Sequence, residues 1–175
     1  MNVKKIALAV AVISGIAMGA ANAADQGHGT VTFTGSIIDA PCSIAPESID
    51  QIVDLGQVSQ AALKDGGTSN PVPFNIKLEQ CDTATQQTVQ ATFTGAASSG
   101  NPDLLGITGT AKGASIAITN GAGDVIVLGQ PSPAQTLQDG NNTLAFSAYL
   151  QGDGASATIV PGSFQSVTDF TLSYQ

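Results

Sequence analysis

Two cysteines, one histidine and thirteen carboxylates are the side chains of this 175-residue chain that could support covalent, acid–base or metal chemistry. Nucleophilic hydrolysis would need a Ser or Cys beside a histidine that a third group orients. The sole histidine, His28, stands ahead of both cysteines in what reads as an extended arm, outside any folded site. The Asp and Glu residues are scattered through turn-like stretches, and no pair has the spacing of a glycosidase acid and nucleophile. Gly121-Ala122-Gly123 and residues 106–113 are not closed by Gly-Lys-Ser/Thr and no helical pattern follows, so they read as turn glycines and not as a phosphate loop. Asn141-Asn142-Thr143 matches a glycosylation triplet but reads as a turn. No enzyme, cofactor site or metal site is expected. Cys42 and Cys81 remain, and they could form a disulfide, stay a thiol pair or ligate a metal. A lone histidine in the arm is a poor complement for a Cys/His metal site.

The compartment decides between these. Residues 1–23 have the three parts of a secretory signal: Lys4 and Lys5, an apolar stretch from Ile6 to about Met18, and Ala21-Asn22-Ala23 with small residues at the cleavage positions. The apolar part falls short of the roughly 20 residues of a membrane-spanning helix, and no charged stop-transfer flank follows. Cleavage after Ala23 leaves 152 residues, enough for one domain with a real core. Export makes a single disulfide the default reading for Cys42 and Cys81, closing a loop of 39 residues. The remaining Lys64, Lys77 and Lys112 face thirteen acids, with no Arg, for a net charge of −10. Such a surface repels phosphate backbones and anionic headgroups, so neither nucleic acid nor membrane insertion after cleavage is expected.

The elements that would position these residues are strands. Runs rich in β-branched and aromatic residues recur at 43–45, 49–55, 72–80, 88–94, 114–119, 124–128, 143–150 and 163–174, none with a sustained 3.6-residue period. Clusters of Gly, Asn and Asp separate them at 65–67, 98–102, 120–123, 139–142 and 151–154, and residues 57–64 could form one short helix. Many short strands with Gly-rich turns predict an all-β sandwich or barrel.

The two ends of the chain say most. In residues 28–44, HGTVTFTGSIIDAPCSI, Gly29, Val31, Phe33, Gly35 and Ile37 share one face of an extended strand, while Thr30, Thr32, Thr34 and Ser36 share the other. This stretch precedes the first cysteine and ends at Pro41, so residues 24–40 read as an arm ahead of a domain spanning 41–175. Such an arm needs a groove to lie in. In residues 168–175, Thr168, Phe170, Leu172 and Tyr174 share one face and Asp169, Thr171, Ser173 and Gln175 the other. The chain ends on this amphipathic strand, with no residues expected for a further strand, and taken alone it reads as a C-terminal strand packed on the core.

Taken together, these segments resemble the pilin subunits of fimbriae assembled by the chaperone–usher route, above all the major rod subunits of the type 1 and P fimbriae groups. The matching residues are the arm Gly29-Thr30-Val31-Thr32-Phe33-Thr34-Gly35, then Ile37-Ile38-Asp39-Ala40-Pro41-Cys42-Ser43-Ile44. Leu55-Gly56-Gln57-Val58, the strand Phe74-Asn75-Ile76-Lys77-Leu78 leading to Cys81-Asp82, Gly162 fourteenth from the end and the penultimate Tyr174 complete the set. The resemblance implies an incomplete immunoglobulin-like β-sandwich lacking its final strand, with a groove beside the C-terminal strand. It implies that Gly29, Val31, Phe33, Gly35 and Ile37 form a donor strand for a neighbouring copy. Gly162, Phe170, Leu172, Tyr174 and Gln175 would be the acceptor and chaperone-contact residues. The implied partners are identical subunits in a head-to-tail filament, a periplasmic chaperone that anchors the Gln175 carboxylate, an outer-membrane usher, and minor or tip pilins. The implied destination is the cell surface, where the fimbria supports adhesion.

Two alternatives stand beside this reading. A minor adaptor pilin has a similar size. A free-standing secreted carbohydrate-binding module would want aromatic platforms, whereas this chain has no Trp and only Tyr149 and Tyr174.

Overall fold

The computed structural model describes residues 28–175, so the expected signal segment 1–23 and the first residues of the arm lie outside the described residues. The chain divides into two compact units, 1–37 and 38–175. In the first, residues 28–37 carry no helix or strand, and Val31, Phe33 and Ile37 are 75%, 90% and 104% exposed. The sequence predicts a strand here. A strand is held by hydrogen bonds to a neighbour, and among the described residues the arm has no ladder to join.

The second unit is built from eleven described strands. They are β1 (Ser43–Ile44), β2 (Val72–Cys81), β3 (Thr88–Gly95), β4 (Leu105–Gly106), β5 (Thr108–Gly109) and β6 (Ala114–Asn120), followed by β7 (Val125–Ile126), β8 (Gln135–Thr136), β9 (Gly140–Gly152), β10 (Phe164–Gln165) and β11 (Thr168–Tyr174). The larger sheet has the order β1-β2-β9-β6-β4, with β7 also pairing β6. A three-stranded sheet has the order β11-β3-β8, and β10 and β5 form a separate pair. Every ladder is antiparallel. The fold is an immunoglobulin-like sandwich of open sheets, as the resemblance implies.

Period-two patterning makes these strands. Ile76 and Leu78 of β2 are fully buried, while Asn75, Lys77 and Glu79 between them are exposed. The same alternation buries Leu144, Phe146, Ala148 and Leu150 in β9 and Val89, Ala91 and Phe93 in β3. Phe146 lies opposite Phe74 in the β2–β9 register, their rings stacked at 5.7 Å, and Phe93 meets Phe146 edge-on at 5.1 Å. Strand β6 departs from alternation: Ala114 to Thr119 are all buried, because it lies inside the larger sheet with both faces covered. Cys42 and Cys81 are joined in a disulfide that ties the approach to β1 to the end of β2, and no cysteine is free.

Several expected elements differ. Residues 49–55 form no strand: a short 3-10 turn at Pro46–Ser48 is followed by irregular chain to residue 59, because no strand lies alongside to accept its backbone bonds. The short helix is a 3-10 segment displaced to Gln60–Gly66, where the Ser59 hydroxyl accepts from the Ala61 N–H. The stretch 124–128 shrinks to the two residues of β7. The last run is cut into β10 and β11 where Ser166 donates its hydroxyl to the Gly106 carbonyl at 2.6 Å and the chain changes partner from β5 to β3. Residues 140–142, read as a turn, begin β9, with the Asn142 amide bonded to both backbone groups of Gln138. The strands β4, β5 and β8 are two residues each, too short for a periodic pattern.

The disulfide yields a first prediction. Cys42→Ser should lower the unfolding free energy by about 4 kcal/mol if the chain-entropy account of a 39-residue loop holds. Urea melts of the two proteins, with a matching fall in periplasmic yield, check it; coincident midpoints would remove the bond from the folding argument.

Candidate functional site

The residues from Val160 to Tyr174 form one long, partly interrupted edge. Strand β11 bonds β3 over seven residues, from Thr168 opposite Gly95 to Tyr174 opposite Val89. Upstream, Phe164 lies opposite Gly109, the Ser163 carbonyl accepts from the Thr110 and Ala111 N–H groups, and Val160 bridges Lys112. These partners all belong to the one chain segment that runs from β3 to residue 112, so one side of residues 160–174 is taken. Along the other side, no ladder is formed among the described residues, and β11 is the edge of its sheet.

Beside that free side lies a cleft of about 1140 Å³. It is bordered by residues 49–58 and by residues 159–168 with Phe170, and its floor includes Ile76, Phe93, Ile116 and Leu150. Those floor residues are buried members of the two hydrophobic clusters of the domain, so the cleft opens onto both. The border 50–58 makes no backbone–backbone hydrogen bond among the described residues. It is held by side chains instead: the Gln51 amide donates to the Ser48 and Asn75 carbonyls, and Asp54 accepts from the Gly56 N–H. Ile52 is 99% exposed there. The only charged residues of the lining are Asp54 and Lys112. This is an apolar trough with unpaired backbone along its borders, and it can receive an extended segment with one apolar face.

The expected acceptor residues fall in two groups. Gly162 and Phe170 line the cleft. Leu172 and Tyr174 do not; they alternate with exposed Thr171 and Ser173 and pack on the main core beyond its end. Gln175 continues the edge, its backbone oxygen accepting from the Gln87 and Thr88 N–H groups at 2.7 and 2.9 Å. A side chain at Gly162 would run into Thr110 and the backbone nitrogen of Ala111, which explains the glycine there. At Gly29 and Gly35 an added Cβ would meet nothing within 4 Å, so no contact within this chain explains them. The sequence did not reveal that residues 49–58 and Ile159 border the cleft. The apolar run 49–55 was the available signal, but it reads equally well as a paired strand.

Among the described residues no group of three metal-binding side chains comes together, and no helix is long and apolar enough to cross a membrane. Across residues 31–175 the sequence matches the family described as Fimbrial protein. The chain belongs to that family. The fimbrial subunit is 66% identical to the Fimbria A protein of Serratia marcescens and 54% identical to the Major MR/P fimbria protein of Proteus mirabilis, over the full length of both chains in each case. Its fold matches a subunit from a solved chaperone–usher pilus, described in connection with rod uncoiling, with a TM-score of 0.75 and 37% identity. That match covers 86% of this chain and 97% of the other.

One titration follows from the edge of this fimbrial subunit. Burial raises the Tyr174 phenol above its ordinary value of 10.0. The unfolded chain therefore ionises first, and the stability tied to neutral Tyr174 is complete below that value and lost as pH rises through the higher folded one. Urea midpoints measured between pH about 9 and 11 should fall for the parent and fall less for Tyr174→Phe; parallel curves would mean that the phenol is solvated.

Proposed function

We propose that this fimbrial subunit builds the rod of an adhesive fimbria by donor-strand exchange and has no enzymatic role. One observation carries the reading: the same chain holds an apolar cleft beside an unpaired edge and an exposed arm whose Val31, Phe33 and Ile37 alternate with polar residues. Adding a strand to an open edge is the recognised way in which pilins and their chaperones associate. Burying the three apolar residues at about 1.5–3 kcal/mol each, less the entropy of ordering the arm, sets the scale of the contact. Because donor and acceptor are different surfaces, the contact is heterologous, and repeating it gives a filament.

In this reading residues 1–23 direct export and are removed, residues 24–40 are the arm, and residues 41–175 are the receiving domain. Gly29 and Gly35 let the arm lie close to shallow parts of the neighbour's cleft. Before assembly the cleft is an aggregation hazard, so a periplasmic chaperone lends it a strand and holds the Gln175 carboxylate with basic residues. An outer-membrane usher then exchanges that strand for the next arm, and minor or tip pilins are further partners in the fibre displayed at the cell surface. A rod subunit is favoured over a minor adaptor because relatives matched end to end carry the names of fimbria A and major fimbria proteins.

Gels run with and without boiling test this. The parent should give a ladder of boiling-sensitive multimers, and deletion of residues 29–37 should leave subunits that accept an arm but cannot donate one, shortening chains when mixed with the parent. Gly35→Leu should abolish the ladder while chaperone-bound monomer still accumulates. A soluble monomer that is indifferent to the arm would mean a sandwich already complete, and would favour a free-standing binding domain.

A further inference from the structure

The smaller sheet has two edges, and they are built differently. One is β11, seven residues long and without a proline. The other is β8, two residues long and preceded by Pro131-Ser132-Pro133. Resting on the strand-exchange reading above, we propose that Pro131, Ser132 and Pro133 guard this far edge against pairing with the same edge of a second copy, so that subunits join end to end and fibres do not fuse side by side.

Three observations lead there. The first is where the backbone groups point. Thr92 bridges Pro131, and the next residue, Ser132, donates its N–H to the Ala91 carbonyl at 2.8 Å. Backbone groups alternate between the two sides of an extended chain, so residues 131 and 133 turn theirs outward. Both are exposed prolines, so the positions that would donate to an incoming strand have no N–H. The second is how Ser132, buried at 2% exposure, uses its remaining polar groups. Its hydroxyl accepts from the Ala91 N–H at 3.0 Å, in place of a ladder carbonyl, and donates to the Pro133 carbonyl at 3.2 Å. Its own carbonyl accepts from the Gln90 side-chain amide at 2.9 Å, so nothing of Ser132 is offered to a neighbour. The third is register. Thr92 lies opposite Pro131 and Val89 opposite Gln135, three steps along β3 against four along the guard. This is a bulge, and it breaks the even spacing that a straight partner strand needs. Beyond it, Leu137 donates inward to the Gln87 carbonyl and the Asn142 side chain accepts from the Gln138 N–H. Outward donors between residues 131 and 138 are thus confined to 134–136. The edge strands of the larger sheet, β1, β4 and β7, are also two residues each, which leaves β11 as the long edge among the described residues. The guard matters most in a fibre, which repeats every edge once per subunit and would multiply even a weak lateral pairing along its length.

Replacing the prolines tests the guard. A full-length subunit carrying Pro131→Thr and Pro133→Thr regains two outward N–H groups on side chains that favour strands and are no more apolar than proline. Electron micrographs should show single fibres for the parent and laterally paired fibres, about twice as wide, for the double variant. Single fibres from a double variant whose urea midpoint matches the parent's overturn the proposal. Hydrogen exchange needs no variant. The Thr136 N–H lies on the outward side, beside the inward-donating Leu137, and should exchange at the same rate before and after the parent assembles, whereas the amides of β11 should slow. A Thr136 amide slowed in the fibre means that this edge is in use and overturns the guard. Unslowed β11 amides, or a parent that forms no boiling-sensitive multimers, count against strand exchange instead. Sedimentation of the separate chains then decides the guard: dimers are expected from the double variant and monomers from the parent, and monomers from both overturn it.

Discussion

Backbone hydrogen bonds that the chain does not complete for itself are the constraint on which this structure turns. An N–H or C=O removed from water without a partner costs about 1–3 kcal/mol, so a finished sandwich closes every edge that it buries. Here the closure stops short. The residues from 160 to 174 are bonded on one side only, the border at 50–58 is held by the side chains of Gln51 and Asp54, and the floor between them is continuous with both hydrophobic clusters. The domain leaves the trough without a strand of its own to fill it.

The division of labour between the sheets follows. The larger sheet carries most of the buried residues, with β6 covered on both faces and the stacked Phe74 and Phe146 at its centre. It is a rigid wall. The smaller sheet carries the functional edge, and it is linked to that wall through Phe93, which meets Phe146 on one side and Phe170 on the other at 6.5 Å. Two glycines keep the edge straight where it passes from one partner to another. A side chain at Gly95 would come within 2.6 Å of Leu105 and 2.9 Å of the Val167 carbonyl, and one at Gly162 would collide with Thr110.

Legibility tracked how local each determinant was. The alternations in 72–80, 88–94 and 168–174 correspond to β2, β3 and β11 because each lies on a wall with one wet and one dry face, the situation in which period two is visible. Cys42 and Cys81 pair as export suggested. Residues 49–55 misled because their pattern is that of a strand, and strand formation depends on a neighbour that the pattern cannot report. Gly140 and Asn142 look like turn residues, but Gly140 adopts φ +91° at the entry to β9 and the Asn142 side chain bonds Gln138 across that corner. Of the expected site, Gly162 and Phe170 line the cleft. Leu172 and Tyr174 share their face and pack beyond its end, since one face of a strand can run past the cavity it borders.

Under the strand-exchange proposal, the disulfide acquires a mechanical meaning. Tension along such a fibre enters each domain through Pro41 and Cys42. The covalent bridge passes it to Cys81, the last residue of β2 and seven residues before β3, where the β2–β9 and β3–β11 ladders both receive it. Residues 43–80, which include the cleft border at 49–58, sit inside the bridged loop, so the shortest covalent path along the chain bypasses them. In that reading the cleft border lies off the shortest covalent line that runs from the arm to the edge strand β11.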